Sequence, residues 1–408
     1  MKKLLKVLMF GWEFPPFNSG GLGVVCYFLT KALSAQNVKI TFVLPQKFDI
    51  KVDYMKILFA DLFLNIKLDN INKKSLISAY ITSETYEKIK KGLMEFSSYQ
   101  GDLFEKVKEY GQRAKKIIDD NNEDFDIIHV HDWLTIPAGV AAMEKLKKPL
   151  IVHMHATEFD RGGGQNVNQV VYEIEKWGME KANLVIAVSQ FTKDIIVKNY
   201  GISPSKIQVI HNAIDLSETF FSDFVKNKIK DKQIVLFVGR ITLQKGPDYF
   251  LLAAKKVLEY NSKVIFIIAG SGDMERQIIE MAADLNIADK VLFVGFKKDK
   301  ELAQIYQMAD LYVLSSISEP FGLTPLESLV YGTPVLISKQ SGVSEVLSHC
   351  LKVDFWDIDQ MTNKILAVLK YNELKEELSE NGKKEAQKIN WYDTAQKFIK
   401  TYKFLINN

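Results

Sequence analysis

Short apolar runs alternate along this chain with stretches of helical periodicity, and the alternation starts afresh near the middle. The first series of runs covers residues 6–10, 40–44, 126–133, 150–156, 184–188 and 207–210. Runs this short, bounded by turn formers, predict buried strands. Between them, residues 24–35 and 170–181 carry helical spacing, and so do 103–118, with Leu103, Val107, Tyr110, Ala114 and Ile117 on one stripe. A further helix opens at Ser189. The section 46–125 is otherwise polar and interrupted, and predicts little. After Asp215 the chain turns polar and lysine-rich up to Gln233, the composition of a solvated linker. A second series of strands then follows at 234–238, 264–269, 290–294, 311–314 and 334–337, each leading into helix-like sequence. The pattern predicts two consecutive doubly wound, Rossmann-like α/β domains with a crevice between them. The tail 390–405, with Trp391, Ala395, Phe398, Ile399 and Tyr402 at helical spacing, predicts a closing helix.

The second series carries the most chemistry. Ser318-Glu319-Pro320-Phe321-Gly322-Leu323-Thr324-Pro325-Leu326-Glu327 follows an apolar run and opens a helix. Thr324 is placed to act as N-cap and Pro325 as first helical residue. Backbone N–H groups at such a helix start face the carboxyl edge of the sheet, where anions bind. Glu319 and Glu327 border the same place. A carboxylate is a good double acceptor for vicinal hydroxyls such as those of ribose, so the stretch suits a ligand carrying both phosphate and sugar. Arg240 and Lys245 lie on the loop after the first strand of this series. Two fixed cations there can neutralise a diphosphate leaving group without a metal.

The first series has a glycine-rich loop, Gly20-Gly21-Leu22-Gly23, between its first strand and helix. It lacks the dinucleotide spacing, and reads equally as a ligand loop or a tight turn. His129 with His131, and His153 with His155, alternate on two strands, which puts each pair on one sheet face. Four such imidazoles raise a rival reading, a metal-dependent hydrolase. Asp132 is the only obvious carboxylate to complete a site, so the expectation is one packed and one crevice-facing histidine in each pair. The Thr157–Gly164 stretch is mobile by composition, as substrate loops are. Two Asp-x-Asp triplets, Asp124 to Asp126 and Asp357 to Asp359, fall away from the strand ends where a metal–diphosphate site belongs.

Composition narrows the field further. A net charge of +3 over 408 residues, without a dense basic block, gives no sign of nucleic acid binding. Cys26 and Cys350 are the only cysteines, too few for a disulfide framework. The basic, apolar start reads as a first strand rather than a leader, and no run reaches membrane-spanning length. A cytoplasmic location is expected.

Gly239-Arg240 with Lys245, Gly270-Ser271-Gly272 and the Glu319-to-Glu327 motif resemble those of the retaining GT-B glycosyltransferases of the family 4 and family 5 type. The Gly20–Gly23 loop and His129-Val130-His131-Asp132-Trp133 resemble those of glycogen and starch synthases. Asn18 stands where glycogen synthases have a lysine, which leans the resemblance toward the broader family 4. It implies an acceptor-binding domain (1–215), a nucleotide-sugar-binding domain (216–386) and a last helix (387–408) crossing back to the first domain, with the two domains facing a central cleft. It implies a hexosyltransferase moving a hexose, glucose first, from an ADP- or UDP-sugar to a glucan or other carbohydrate. No metal and no other cofactor is implied. Within the same family, a transferase making a glycolipid or surface polysaccharide is the alternative, with the Lys145–Lys148 cluster as a faint sign of peripheral membrane contact.

Carried over by position, Arg240 and Lys245 hold the diphosphate. Glu319 and His155 sit near the donor sugar, and Glu327 takes the ribose. Gly20, Gly21, Gly270, Gly322, Leu323 and Thr324 line the donor, and Phe296 touches its base. Asp132, Trp133 and Asp160 fall to the acceptor.

Overall fold

A computed structural model describes residues 4–16, 20–47, 49–61, 96–121, 123–164, 167–216 and 232–407. The chain forms two compact units. Unit 1 comprises Met1–Phe159, Val167–Asn212 and Trp391–Asn408; unit 2 comprises Asp160–Asn166 and Ala213–Asn390.

Unit 1 is built on seven strands: β1 (Leu5–Phe10), β2 (Val38–Leu44), β3 (Lys56–Phe59), β4 (Ile127–His131), β5 (Leu150–Met154), β6 (Leu184–Ala187) and β7 (Ile207–Val209). Their order is β3-β2-β1-β4-β5-β6-β7, and every pairing is parallel. The central strands are buried along their whole length, as strands covered by helices on both faces must be. Their near-continuous Val, Ile and Leu content is what makes them legible in the sequence. β3 is a four-residue, partly exposed edge, too short and too mixed to stand out. The helix expected at 103–118 runs Phe96–Asn121. The closing helix Trp391–Asn407 packs within unit 1, with Trp391 stacked on Phe28 and the Phe398 ring stacked on His129.

Unit 2 has six parallel strands: β8 (Gln233–Val238), β9 (Val264–Ala269), β10 (Val291–Gly295), β11 (Leu311–Leu314), β12 (Val335–Ser338) and β13 (Leu351–Val353). The order is β10-β9-β8-β11-β12-β13, the doubly wound arrangement with its reversal between β8 and β11. β13 is three residues of edge strand, Leu-Lys-Val, and escapes a reading by apolar runs.

Both Asp-x-Asp triplets have structural duties. Asp126 accepts from the Lys6 N–H at 2.9 Å, and Asp357 caps the helix Ile358–Lys370 by accepting from the Gln360 N–H at 2.9 Å. The linker run expected after Asp215 lies almost wholly outside the described residues.

Candidate active site

In open α/β sheets ligands bind beyond the carboxyl ends of the strands, where the strand order reverses. In unit 2 that place lies between β8 and β11. The loop after β8 carries Arg240 and Lys245, and the loop after β11 carries Glu319. The two loops are laced together by main-chain and side-chain bonds. Ile317 N–H donates to the Gln244 carbonyl at 3.0 Å, and Ser315 Oγ donates to the Gly246 carbonyl at 2.7 Å. Gln244, itself buried, takes a long contact from Arg240 at 3.4 Å.

Lys245 forms an ion pair with Glu319, and both side chains are largely buried. Ser316 Oγ also donates to Glu319, at 3.1 Å, and both bonds fall on Oε2. The backbone of Glu319 is held too: its N–H donates to the Gln340 carbonyl, and its carbonyl accepts from Gly342, each at 2.9 Å. Glu327 lies on the first turn of the helix Thr324–Val330, where Oε2 accepts from Tyr306 at 2.9 Å. Burial raises the Glu327 carboxyl above its ordinary range, against the pull of the Tyr306 bond and of Lys245. Arg240, Lys245, Glu319 and Glu327 therefore converge on one sheet edge. Thr324 departs from its expected role. It is the first helical residue, with Leu323 in the N-cap position, and its hydroxyl bonds Tyr312 at 2.8 Å instead of capping. Phe296 follows β10 and is 63% exposed, free to meet a flat ligand.

Two glycines shape this edge sterically. Gly322 has φ +99°, and a Cβ there would meet Glu319 Cγ at 3.1 Å. A Cβ on Gly270 would lie 1.8 Å from the Gly239 carbonyl oxygen. Gly270 thus lets the β9 loop press against the loop that carries Arg240. Gly270→Ala is expected to cost about 3 kcal/mol, at the upper end for overpacking, because the obstruction is backbone. Urea unfolding of the variant checks this, and an unchanged midpoint would contradict it.

Unit 1 presents a different cluster at the carboxyl ends of β4 and β5. All four strand histidines meet. The rings of His129 and His131 stack 4.5 Å apart, and those of His153 and His155 lie 3.9 Å apart. His131 Nδ1 is 2.9 Å from His155 Nε2, and His129 Nδ1 is 2.7 Å from the Tyr402 hydroxyl. The expectation of one packed and one crevice-facing ring in each pair fails for the first pair, since His129 and His131 are both fully buried. Sheet alternation put them on one face, but that face is covered by Phe398 and Tyr402 of the last helix. His155 is partly exposed, yet both of its ring nitrogens are enclosed; Nδ1 has no hydrogen-bond partner and Nε2 faces His131. Ligand atoms of His129, His131 and His153 lie within 4.8 Å of one another, without a carboxylate in the group. Burial depresses all four imidazoles, His131 to about 3. The cluster is neutral at working pH.

Other unit 1 assignments change. Asp132, with φ +57°, turns its carboxylate onto the N–H groups of His155 and Ala156, at 2.6 and 3.3 Å. It holds the His155 turn. Trp133 is buried in the hydrophobic core against Phe104, not on a surface for an acceptor. Asp160, expected at the acceptor, is fully buried within unit 2 and accepts from Ser318 Oγ at 2.5 Å. The segment before the glycine run, read as mobile, is anchored by that bond and by the Glu158 N–H on Glu175 at 3.0 Å. Gly20 lies against the Glu13 carboxylate: a Cβ there would sit 3.0 Å from Oε2. Gly21 faces open space.

Two family descriptions match the chain. "Glycosyl transferases group 1" covers residues 219–385, and "Glycosyltransferase Family 4" covers 101–218. The chain is 27% identical to an uncharacterized glycosyltransferase of Methanocaldococcus jannaschii, over 98% of both chains. It is 26% identical to a glycogen synthase of Mycobacterium tuberculosis, over 84% of this chain and 80% of that one. In three dimensions it is similar to a sucrose-phosphate synthase from Thermosynechococcus elongatus, with a TM-score of 0.78 at 19% identity and 99% coverage of both chains.

Proposed function

Because the chain belongs to the GT-B glycosyltransferases of the family 4 and family 5 type, we propose that it moves a hexose, glucose first, from a nucleoside-diphosphate sugar to a carbohydrate acceptor with retention of configuration. The observation that carries this is the convergence of Arg240, Lys245, Glu319 and Glu327 on the strand-order reversal of unit 2.

In this reading Arg240 and Lys245 meet the diphosphate, and Glu319 fixes the ammonium of Lys245 while its Oε1 faces the sugar. Glu327 accepts from the ribose. The bond between the anomeric carbon and the β-phosphate oxygen breaks as the acceptor oxygen attacks from the same face. The acceptor proton passes to the departing phosphate, whose growing charge the two cations stabilise. The part that a divalent ion plays in other diphosphate-leaving reactions falls to these side chains. The relationship to a glycogen synthase supports a glucan acceptor. Two of the three lysines that would favour a lipid surface are engaged: Lys145 pairs with Asp119, and Lys148 with Asp124 at 3.3 Å. Among the described residues no helix is long and apolar enough to cross a membrane.

The test is a screen of UDP-, ADP- and GDP-sugars for release of free nucleoside diphosphate, with and without glycogen or maltooligosaccharide, in the presence of a chelator. Release that rises with a glucan and survives the chelator is expected. Release from none of the donors, or only with added divalent metal, would contradict the reading.

A further inference from the structure

Tyr306 belongs to no sequence motif, yet its hydroxyl is the one hydrogen-bond donor that the described residues supply to the Glu327 carboxylate. It sits on the helix Asp299–Met308 and is fully buried. Its ring stacks on Tyr331, 5.8 Å between centroids and 14° between planes. Its carbonyl is pinned by Thr333 Oγ1 at 2.6 Å. Burial and the neighbouring carboxylate push the phenol far above its ordinary range, so it donates and does not ionise. The bond falls on Oε2 alone. Oε1 of Glu327 has no donor among the described residues and is left to a ligand.

We propose that Tyr306 is a positioning residue: it locks the Glu327 carboxylate in the one orientation that accepts a ribose hydroxyl, and so gives this site its preference for ribonucleotides over deoxyribonucleotides. The inference rests on the donor reading above. A carboxylate with one oxygen tethered presents the other at a fixed angle. An untethered one, on a side chain of several rotatable bonds, accepts from ribose, water or solvent ions alike. A site organised to bond a hydroxyl rejects the analogue lacking it, because the buried acceptor is then left unpaired. The groups facing Glu327 are Tyr306, Lys245 and Tyr312, whose phenol also feels the charges of Glu319 and Glu327.

The experiment is calorimetric binding of UDP, ADP and GDP, each beside its 2′-deoxy and 3′-deoxy counterparts, to the full chain. The wild-type protein is expected to bind its cognate diphosphate about tenfold or more tightly than one of the deoxy forms, the size of a bond to a charged group. In Tyr306→Phe, which keeps the ring stack, that ratio is expected to fall to about threefold or less. In turnover the loss is expected to fall mainly on the KM for donor. Glu327→Gln lowers the ratio by itself, and adding Tyr306→Phe to it changes nothing further. Because the Tyr306 bond draws the Glu327 pKa down, the acid-side loss of affinity should also begin at a higher pH in Tyr306→Phe. Thr333→Val, which releases the Tyr306 carbonyl and a longer bond to the Ala309 carbonyl, shifts the ratio the same way by less, and serves if Tyr306→Phe folds poorly. A ribose preference and acid limb unchanged in these variants would overturn the proposal while leaving the donor reading intact. Failure of the wild type to bind any diphosphate would overturn both.

Discussion

Arg240→Ala is expected to lower turnover at least about a hundredfold. In the proposed transfer the transition state differs from the bound donor chiefly by charge gathering on the departing diphosphate, and a cation already in place there costs no reorganisation when that charge appears. In the proposed function Arg240 meets that charge from the loop after β8, where it contacts Gln244 at 3.4 Å. It also draws down the carboxyl of Asp273, which burial otherwise raises. Because the guanidinium matches phosphate in a planar fork, Arg240→Lys should recover only part of the loss. Lys245→Ala should lose as much activity and also stability. It leaves Glu319, 6% exposed, without its ion partner, and breaking a buried pair costs about 3–5 kcal/mol. Steady-state kinetics with urea unfolding separates the two: one variant loses rate alone, the other rate and stability. Unchanged turnover in Arg240→Ala would remove that residue from the mechanism.

Unit 1 is expected to be sensitive to acid. His129, His131, His153 and His155 are held below the ordinary histidine pKa by burial, and each is neutral in the folded state. Unfolding returns them to about 6.5. Between that value and the depressed folded value the unfolded chain binds more protons, so stability falls as pH falls. The slope is about 1.4 kcal/mol per pH unit for each histidine. Moving from pH 7.5 to 5.5 should therefore remove up to about 5 kcal/mol, a large share of ordinary domain stability. Four of the five tryptophans (Trp12, Trp133, Trp177 and Trp391) lie in unit 1, so their fluorescence follows its unfolding. His153→Phe should recover about 1.4 kcal/mol of the acid loss, because both ring nitrogens of His153 are buried without a hydrogen-bond partner. Stability flat between these pH values would show that the cluster is not held neutral.

The parts of this fold that could be read from the sequence are those whose burial is local and continuous. β4, β5, β9 and β11 are uninterrupted buried runs, and the helices between them announce themselves by spacing. β3 and β13 are short edges whose identity comes from a neighbouring strand rather than from their own residues. The same distinction runs through the site. Arg240, Lys245 and Glu319 were legible because each lies two to seven residues past a strand end, and Glu327 because it lies in the first turn of the helix that follows. Trp133 and Asp160 also follow strands, and nothing in their local pattern tells that one turns inward to Phe104 and the other to Ser318. Tyr306 was invisible for the opposite reason, being a tyrosine on the buried face of a helix, 21 positions from the carboxylate it touches. The alternation of His129 with His131 revealed their common face, but only the packing of Phe398 and Tyr402 shows that the face is closed.

In the proposed function the β8–β11 edge of unit 2 grips an activated sugar by its nucleoside-diphosphate end. A crystal structure of the chain with the diphosphate it binds most tightly tests this directly. The expected result has phosphate oxygens within hydrogen-bond distance of Arg240 and Lys245, and a ribose hydroxyl on Glu327 Oε1. A nucleotide seated elsewhere, with those three side chains contacting only protein, would contradict it.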